Sequence, residues 1–330
     1  MRGLMLVAVL DVLEGCVPGV SLDQLNGAMS DVGDEESDAA SVDEGLAEVA
    51  DEVEPEDVSV TDEAVPDTDA DADAGADADT DADTDADVLC PTNSCPAGMA
   101  YVTCGPFVMG SDTGEGLADE MPEHVVHLSA FCIEQVEVTT ARYRACATAG
   151  ACTPPLGGWY GPDDHPVVGV NWEQARAYCG WLGNRLPSEA EWEKAARGGC
   201  EVVAPETCGP EDERSYPWGA AAPTCDHANY SSCVGGTDAG AARPAGDSPY
   251  GVHDLAGNVW EWVADWYAAS YYSACRSGCE DPRGPSTGTN RVVRGGGWNA
   301  PTYSIRAALR FSLLPTDAYS DYGFRCARSP

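Results

Sequence analysis

Residues 250–266, YGVHDLAGNVWEWVADW, constrain the fold of this chain more than any other stretch. Tryptophans stand at positions 260, 262 and 266, and each can bury a large aromatic surface. Gly257 and Asn258 directly precede them and favour a tight bend in the backbone. The stretch therefore predicts a core-forming turn that nucleates a globular domain.

The same stretch also fits a metal site. Asp254 and Glu261 flank the Gly-Asn bend, so two carboxylates would stand beside backbone carbonyls that a tight turn exposes. Hard oxygen ligands of this kind suit calcium. A tryptophan core and a calcium loop are compatible, and the sequence supports both.

The first quarter of the chain has a different composition from the rest. Of the 56 acidic residues, 26 lie between positions 21 and 90, and that segment contains no lysine or arginine. Residues 21–88 also contain no aromatic residue, so the segment buries too little apolar surface to offset the entropy of ordering. We expect residues 21–89 to form a disordered acidic linker. A calcium-binding Asp-rich repeat is the alternative, but the segment lacks the Gly-Gly turns of such repeats.

The first twenty residues are typical of an export leader. Arg2 precedes an apolar run at residues 3–10 that is too short to span a bilayer. Positions 13–16, LEGC, resemble the lipobox of bacterial lipoproteins, which makes Cys16 a candidate for lipidation. Asp11 and Glu14 depart from that pattern, so secretion with an unusual leader is the alternative. Membrane contact is expected only through a lipid anchor.

Composition restricts the partners of the remaining chain. Residues 91–330 carry 28 acidic and 16 basic residues, without a basic run. A negatively charged domain repels phosphate backbones and anionic membranes, so a nucleic-acid ligand is not expected. Fifteen cysteines beside five histidines, without paired zinc spacings, favour disulfides in an oxidising compartment. The close pairs expected to form loop staples are Cys90/Cys95, Cys146/Cys152, Cys200/Cys208, Cys225/Cys233 and Cys275/Cys279.

Helix signals are concentrated in the first half of this region. Thr139 or Thr140 can cap a helix that ends near Gly150, and Asn171 can cap WEQARAYCGWL. Ser188 opens the capping box of a third helix, and Gly198 ends that helix. Trp192 on this helix is expected to point to the core. The apolar face expected for the second helix consists of Trp172, Ala175, Cys179 and Leu182.

Strands are expected at residues 99–111 and 124–139. His124 and His127 on the second strand would face opposite sides, which favours ordinary strand residues over metal ligands. After Cys200, Gly- and Pro-rich segments predict irregular loops pinned by disulfides, with little regular structure.

The order of motifs is specific. GPFVMGS, EVTTARYRACA, RLPSEAEWEKAARGG, YPWG, YGVHDLAGNVWEWVADWY, VVRGGGWN and YGFRCAR follow one another, and together they resemble the formylglycine-generating enzyme (sulfatase-modifying factor) family. The resemblance implies a single compact α+β domain over residues 90–330, related to the C-type lectin fold, with much irregular loop and many disulfides. It also implies a disulfide between Cys179 and Cys326.

The resemblance further implies structural calcium. One family site maps onto Asp254, Gly257, Val259 and Glu261, where the glycine and valine offer carbonyls. A second site maps onto Asn229, Tyr230, Asp238 and Gly240, in a loop that is shorter here than in the family.

The catalytic part of the family pattern is missing. Formylglycine-generating enzymes hold copper with two cysteines after the turn that corresponds to residues 294–298, since thiolates suit Cu(I). Residues 294–311, RGGGWNAPTYSIRAALRF, contain no cysteine, so no copper site is expected. The residues that would line the remaining cleft are Trp298, Asn299, Tyr303, Arg306 and Arg310. For the two arginines, ion pairing within this acidic domain is the alternative.

Other chemistries also lack their residues. The five histidines have no Gly-x-Ser-x-Gly context, and no helical domain supplies an iron-binding histidine triad. The sequence therefore favours an exported, monomeric binding or scaffold module, in the cell envelope or secreted, for a peptide, protein or glycan. The alternative is an enzyme that modifies a protein or a peptide-derived substrate.

Overall fold

The computed structural model describes residues 90–112, 116–203 and 214–330. The leader and linker predictions, Cys16 among them, lie outside the described residues. The described strands are β1 Met99–Val102, β2 Gly105–Met109, β3 His124–Leu128, β4 Phe131–Glu134, β5 Trp260–Trp266, β6 Cys279–Glu280, β7 Arg291–Arg294, β8 Phe311–Leu313, β9 Tyr322–Gly323 and β10 Ala327–Arg328. The helices are α1 Thr140–Thr148, α2 Trp172–Trp181, α3 Glu189–Arg197, α4 Cys200–Val203 and α5 Tyr271–Ala274.

The strands form three small sheets. Their orders are β1-β4-β10, β2-β3-β6 and β8-β7-β5-β9. Strand β4 binds both the first and the last strand of the domain, in antiparallel register. In the largest sheet, β5 pairs antiparallel with β7 and parallel with β9. Chain segments that are distant in sequence therefore meet at β4 and at β5.

The three long helices begin at the residues that their caps predict. The Thr139 hydroxyl accepts from the Arg142 N–H, and Asn171 and Ser188 each open a complete capping box. Gly198 ends α3 with φ +96°, a conformation that glycine adopts without strain. The predicted helices and their caps are confirmed.

Helix α3 lies inside the molecule rather than on its surface. All nine of its residues are buried, and it contacts strands of two sheets, β2 and β3 on one side and β5 and β7 on the other. Trp192 is completely buried, as expected from the sequence. Its neighbours in the core include Phe107, Val126 and Val263. A second core lies under α1 and α2, where Tyr143 stacks on Tyr178 and Phe324 meets Tyr178 edge-on.

Regular structure after Cys200 is sparse, as predicted, although the short strands β5, β7, β8 and β9 form the largest sheet. The predicted bend directly precedes β5, where Gly257 and Asn258 have φ values of +87° and +62°. Two other expectations about regular structure are wrong. Each predicted strand at residues 99–111 and 124–139 is two strands joined by a turn. Leu182 is 39% exposed, because α2 ends at Trp181 and Leu182 lies beyond its buried face.

The disulfides correct one predicted pair. Cys90 bonds Cys104 and Cys95 bonds Cys132, so these two cysteines do not staple one another. Cys132 lies on β4, which pairs with β1, and Cys104 lies in the turn between β1 and β2, so each cysteine has a partner from a different segment. Cys200 is disulfide-bonded, while Cys208 lies outside the described residues. The predicted pairs present in the structure are Cys146–Cys152, Cys179–Cys326, Cys225–Cys233 and Cys275–Cys279.

Two smaller predictions also have outcomes. His124 is buried and His127 is exposed, so the two histidines do face opposite sides of β3. None of the helices in the described ranges is long and apolar enough to cross a membrane.

Candidate functional site

A glycine turn after β7 builds the candidate site. Gly295 and Gly296 have φ values of +91° and +78°, in the left-handed region that favours glycine. A Cβ on Gly297 would lie 3.1 Å from Cβ of Asp321 and 3.2 Å from Cδ1 of Trp260. The turn thus brings its backbone directly against an acidic side chain and an indole ring.

Backbone hydrogen bonds from two other segments hold this turn in place. The Trp298 N–H donates to the Asn258 carbonyl at 2.8 Å. The Ser232 N–H donates to the Trp298 carbonyl and the Ser231 N–H to the Ala300 carbonyl, at 2.8 and 2.9 Å. The bend of residues 254–258 and the loop closed by the Cys225–Cys233 disulfide are therefore both hydrogen-bonded to the turn.

Asp321 is the acidic group of the site. Its backbone carbonyl accepts from the Trp260 N–H at 2.8 Å, which fixes the residue at the start of β9. The carboxyl is half-buried, and burial raises its pKa above the ordinary value, against the hydrogen bond from the Asn299 side chain. None of the ion pairs among the described residues includes Asp321. The site therefore presents a carboxyl without a cationic partner.

A continuous row of four aromatic rings borders this carboxyl. The Phe311 and Trp260 centroids are 5.5 Å apart, Trp260 stacks on Tyr322 at 6.0 Å, and Tyr322 lies 5.5 Å from Tyr319. The two inner rings are buried, whereas Phe311 is 46% exposed and Tyr319 is 50% exposed. We call these rings the aromatic row, and the row together with Asp321 and the turn at residues 297–299 the cleft.

The structure divides the five residues that the sequence assigned to the cleft. Trp298 is half-buried, and Asn299 and Tyr303 are exposed, Tyr303 at 61%. Arg306 instead forms a two-point ion pair with Glu120, with both distances at 2.7 Å. Arg310 is buried and binds Glu189 through Nε and Nη2 at 2.7 and 2.8 Å. Ion pairing, the alternative for both arginines, is what the structure contains.

Sequence reasoning missed the acidic and aromatic members of the cleft. Asp321 directly precedes the YGFRCAR motif, and Phe311 and Tyr319 flank a polar loop, so their positions were readable. Their proximity was not, because it depends on the pairing of β5 with β7 and β9.

The lack of a free thiol limits the chemistry of this site. Residues 294–311 contain none, and every cysteine in the described ranges is bonded in a disulfide. A disulfide sulfur is not a thiolate, and Cu(I) prefers thiolates. The described part of the chain therefore offers no thiolate pair to copper.

The first predicted calcium set contains a carboxylate that is already neutralised. Glu261 is buried and accepts from Arg325 Nη2 and Nε at 2.7 and 2.8 Å, and from Trp192 Nε1 at 2.9 Å. Asp254 has φ +57°, and its Oδ2 accepts from the Ala241 N–H at 2.7 Å. Burial raises the pKa of Asp254, despite opposing effects of that hydrogen bond and of Arg325. Gly257 and Val259 lie between these two carboxylates in the chain.

The second predicted set shows a similar division. Asp238 is paired with Arg243 at 2.6 Å, and the Tyr230 carbonyl accepts from the Cys233 N–H. Asn229 is buried and donates through Nδ2 to the Gly236 carbonyl at 2.8 Å, but its Oδ1 has no hydrogen-bond partner among the described residues. Gly240 packs against Val136.

Glu137, which neither set includes, lies beside both. It is buried, and its Oε1 accepts from Asn258 Nδ2 at 2.9 Å, while Oε2 has no partner among the described residues. Burial, followed by the charge of Asp254, raises the pKa of Glu137 well above its usual range. Asn258 also accepts from Asn229 Nδ2 at 3.3 Å, so one amide links the two unpartnered oxygens.

These oxygens fit a hard cation, since calcium takes carboxylate, amide and carbonyl ligands. Asn229 Oδ1 and Glu137 Oε2 are buried acceptors that lack donors, and Asp254 adds buried negative charge. No group of three or more His, Cys, Asp and Glu suited to a metal occurs in the described ranges, so carbonyl and amide oxygens would supply the remaining ligands.

Comparisons with known proteins agree on the fold. A family model described as "Sulfatase-modifying factor enzyme 1-like domain" matches residues 87–330. The solved structure of Treponema denticola variable protein 1 covers 70% of this chain and 95% of its own, with a TM-score of 0.56 and 25% identity. The predicted α+β fold related to C-type lectins is confirmed.

Two similar proteins of known name differ in the activity that their names state. Formylglycine-generating enzyme of Thermomonospora curvata is 31% identical over 297 residues, covering 71% of this chain and 94% of that enzyme. Serine/threonine-protein kinase pkn1 of Chlamydia pneumoniae is 35% identical over 256 residues, which are 70% of this chain. The match spans only 38% of the kinase.

Proposed function

Since the chain belongs to the sulfatase-modifying factor family, we propose that residues 90–330 are a binding or scaffold module that takes a peptide, protein or glycan at the cleft. The family assignment supplies the fold. The residues inside that cleft decide between binding and chemistry.

The observation that carries the proposal is the lack of thiol at the turn of residues 294–311. The described cysteines are all in disulfides, and the turn exposes Asn299 and part of Trp298 at the cleft. The remaining groups are a carboxyl, an amide and exposed aromatic rings. These groups can bind ligands, and they offer neither a thiol nor an oxidant.

Export and lipid anchoring are part of the same proposal. A domain with six described disulfide bonds and a further bonded cysteine fits an oxidising compartment. Lipidation at Cys16 would tether the domain at a membrane surface through the acidic linker. Mass spectrometry of the mature N-terminus tests this, because a diacylglyceryl cysteine supports the anchor and an unmodified cleavage product excludes it.

Calcium is proposed as a structural ion held by Asn229, Glu137 and Asp254 with neighbouring carbonyls. A cation that binds only the folded state raises the melting temperature by mass action. We expect EDTA to lower the melting temperature of the full chain and added calcium to restore it. Glu137→Gln should weaken that response, whereas Glu280→Gln, an exposed control, should not. A melting temperature that ignores chelator would exclude the ion.

The binding role is tested by photo-crosslinking in the producing cell. A benzophenone side chain at Asn299 should capture a defined partner in the full-length protein, since that residue is exposed at the cleft. The matched control carries the same group at Arg276, an exposed residue in the loop before β6. Identical products from both positions, or none from Asn299, would contradict a binding cleft.

Enzymatic modification of a protein or peptide-derived substrate is the second candidate. It is favoured by the match to the Thermomonospora curvata enzyme over nearly the whole of that protein. The two candidates differ in whether any substrate is converted.

A further inference from the structure

The arginines of the domain avoid the cleft. Among the described residues, guanidinium groups lie over the rings of Trp159, Trp172, Trp192, Trp266, Tyr267 and Tyr272. None of these contacts involves the aromatic row. The aromatic row therefore combines two exposed rings with no guanidinium from the described residues over any of its four rings.

Two carboxylates stand around the same rings. Asp321 directly precedes Tyr322 in the chain, and Asp317 lies in the loop between β8 and β9 that also carries Tyr319. Burial, followed by the charges of Asp321, Tyr319 and Asp317, raises the pKa of Tyr322. Asp317 is half-exposed, and its N–H donates to the Leu314 carbonyl at 2.9 Å. Like Asp321, it belongs to none of the ion pairs found in the described ranges. The rings thus lie within a locally negative field.

The position of β8 explains why the row is open. Strand β8 is at the edge of its sheet and pairs only with β7, so no further strand covers Phe311. An edge strand with an exposed aromatic residue is a surface that proteins usually protect unless it has a partner. At residue 314 the chain leaves the strand with an exposed leucine.

Apolar surface continues from the other end of the row. The Tyr319 carbonyl accepts from the Gly169 N–H at 2.9 Å, and the Gly169 carbonyl accepts from the Leu156 N–H at 2.7 Å. A Cβ on Gly169 would lie 3.0 Å from Tyr160 Cε2. Leu156 and Tyr160, both exposed, therefore adjoin Tyr319. The surface is longer than one small ligand needs.

We propose that the cleft binds an arginine or lysine side chain of a partner polypeptide, with the cation between Asp321, Asp317 and the aromatic row and apolar neighbours on Leu156 and Leu314. Exposed aromatic faces attract a cation, and a carboxylate adds a charge-assisted hydrogen bond. A basic polypeptide also complements a domain of 28 acidic and 16 basic residues. This proposal rests on the binding role proposed above and specifies its ligand.

The test uses two synthetic peptides and the full-length protein. Acetyl-Leu-Arg-Leu-Arg-amide and the same peptide with citrulline at both arginines differ in charge but hardly in shape. We expect isothermal titration to show about tenfold tighter binding of the arginine peptide, which one charge-assisted hydrogen bond can supply. Equal affinity for the two peptides, or no saturable binding of either, would overturn the proposal.

Variants assign the effect to the cleft. Asp321→Asn keeps the shape of the side chain and should remove most of the preference for arginine over citrulline. Phe311→Ala and Tyr319→Ala should weaken both peptides. Glu280→Gln alters an exposed acid outside the cleft and should change neither. A preference for arginine that survives Asp321→Asn together with Asp317→Asn would place the cation elsewhere and overturn the proposal.

Failure here and failure of the binding role give different results. If Asn299 captures a partner and Phe311→Ala abolishes that capture, but arginine and citrulline peptides bind alike, only the cationic ligand is wrong. If Asn299 captures nothing, the binding role itself is wrong.

Discussion

Two regions on either side of the Arg294 turn treat charge in opposite ways. Beneath α3, Arg294 is completely buried and pairs with Glu193 and Glu189, and Arg310 pairs with Glu189. In the cleft, Asp321 and Asp317 stand beside aromatic rings without a cation from the described residues. The buried charges are paired with one another, whereas the two carboxyls of the cleft are free to bind a cationic partner.

The difference separates structural residues from functional ones within one short segment. Arg306 and Arg310, only a few residues beyond Asn299, bind Glu120 and Glu189 and so tie the segment to the domain. The two arginines of this segment therefore serve the fold. The same segment, residues 294–311, contains no cysteine.

The largest effect is expected from breaking the interior. Arg294→Met should destabilise the protein by about 3–5 kcal/mol, because it leaves Glu193 buried with one partner fewer. Arg176→Met is the matched control, since the Arg176–Glu173 pair is exposed and such pairs contribute about 0–1 kcal/mol. Urea denaturation of both variants measures the difference. Similar losses would mean that burial does not distinguish these ion pairs.

The disulfide between α2 and the last strands should rank next. Cys179–Cys326 closes a loop of 147 residues, and removing it with alanine at both positions should cost about 2–5 kcal/mol. Cys275–Cys279 closes a loop of 4 residues, so the same double substitution there should cost less. Denaturation midpoints decide, and an equal loss in both variants would contradict the loop-length argument.

A buried acid near α3 predicts a pH effect. Burial, followed by the charge of Glu189, raises the pKa of Asp265 from 3.8 to about 8. Its contribution to stability is complete below pH 3.8 and is lost as the pH rises through about 8, because the folded state holds the proton more tightly. The stability of the wild type relative to Asp265→Asn should therefore decrease as the pH is raised from 3.8 to about 8. A constant difference across that range would show that Asp265 titrates normally.

The smallest effect on stability is expected in the cleft. Asp321→Asn removes a charge that no described cation neutralises and keeps the hydrogen bond from Asn299. The free energy of unfolding should therefore change by no more than about 0.5 kcal/mol. Glu189→Gln, in the interior, should cost several times more. A large loss in Asp321→Asn would make this carboxyl structural rather than available to a ligand.

Local signals in the sequence predicted the helices well. The caps at Thr139, Asn171 and Ser188 act within one turn of chain, so they are legible without tertiary information. The motifs also predicted the fold class. Spacing alone predicted the cysteine pairs that close short, isolated loops, such as Cys225–Cys233, and the family resemblance supplied Cys179–Cys326. Cys90 and Cys95 lie close in sequence, yet each bonds a cysteine from a different segment of the fold.

The site was legible in part. The absence of cysteine at residues 294–311 was visible, and Trp298 and Asn299 do reach the surface. The roles of Arg306 and Arg310 were ambiguous, because the sequence does not show whether a buried carboxylate lies close enough to pair with each arginine. Asp321 and Glu137 were missed, since each becomes significant only through neighbours that are distant in sequence, Gly297 for one and Asn258 for the other. The calcium ligands remain predictions.

The most direct measurement of the central claim is a turnover assay on the full-length protein. The protein, loaded with Cu(I), is incubated in oxygen with a cysteine-containing sulfatase peptide, with the Thermomonospora curvata enzyme as positive control. We predict no oxygen consumption above a copper blank and no converted peptide in the mass spectrum, because residues 294–311 offer no thiolate. Catalytic conversion of the cysteine would contradict the account and make the protein an enzyme.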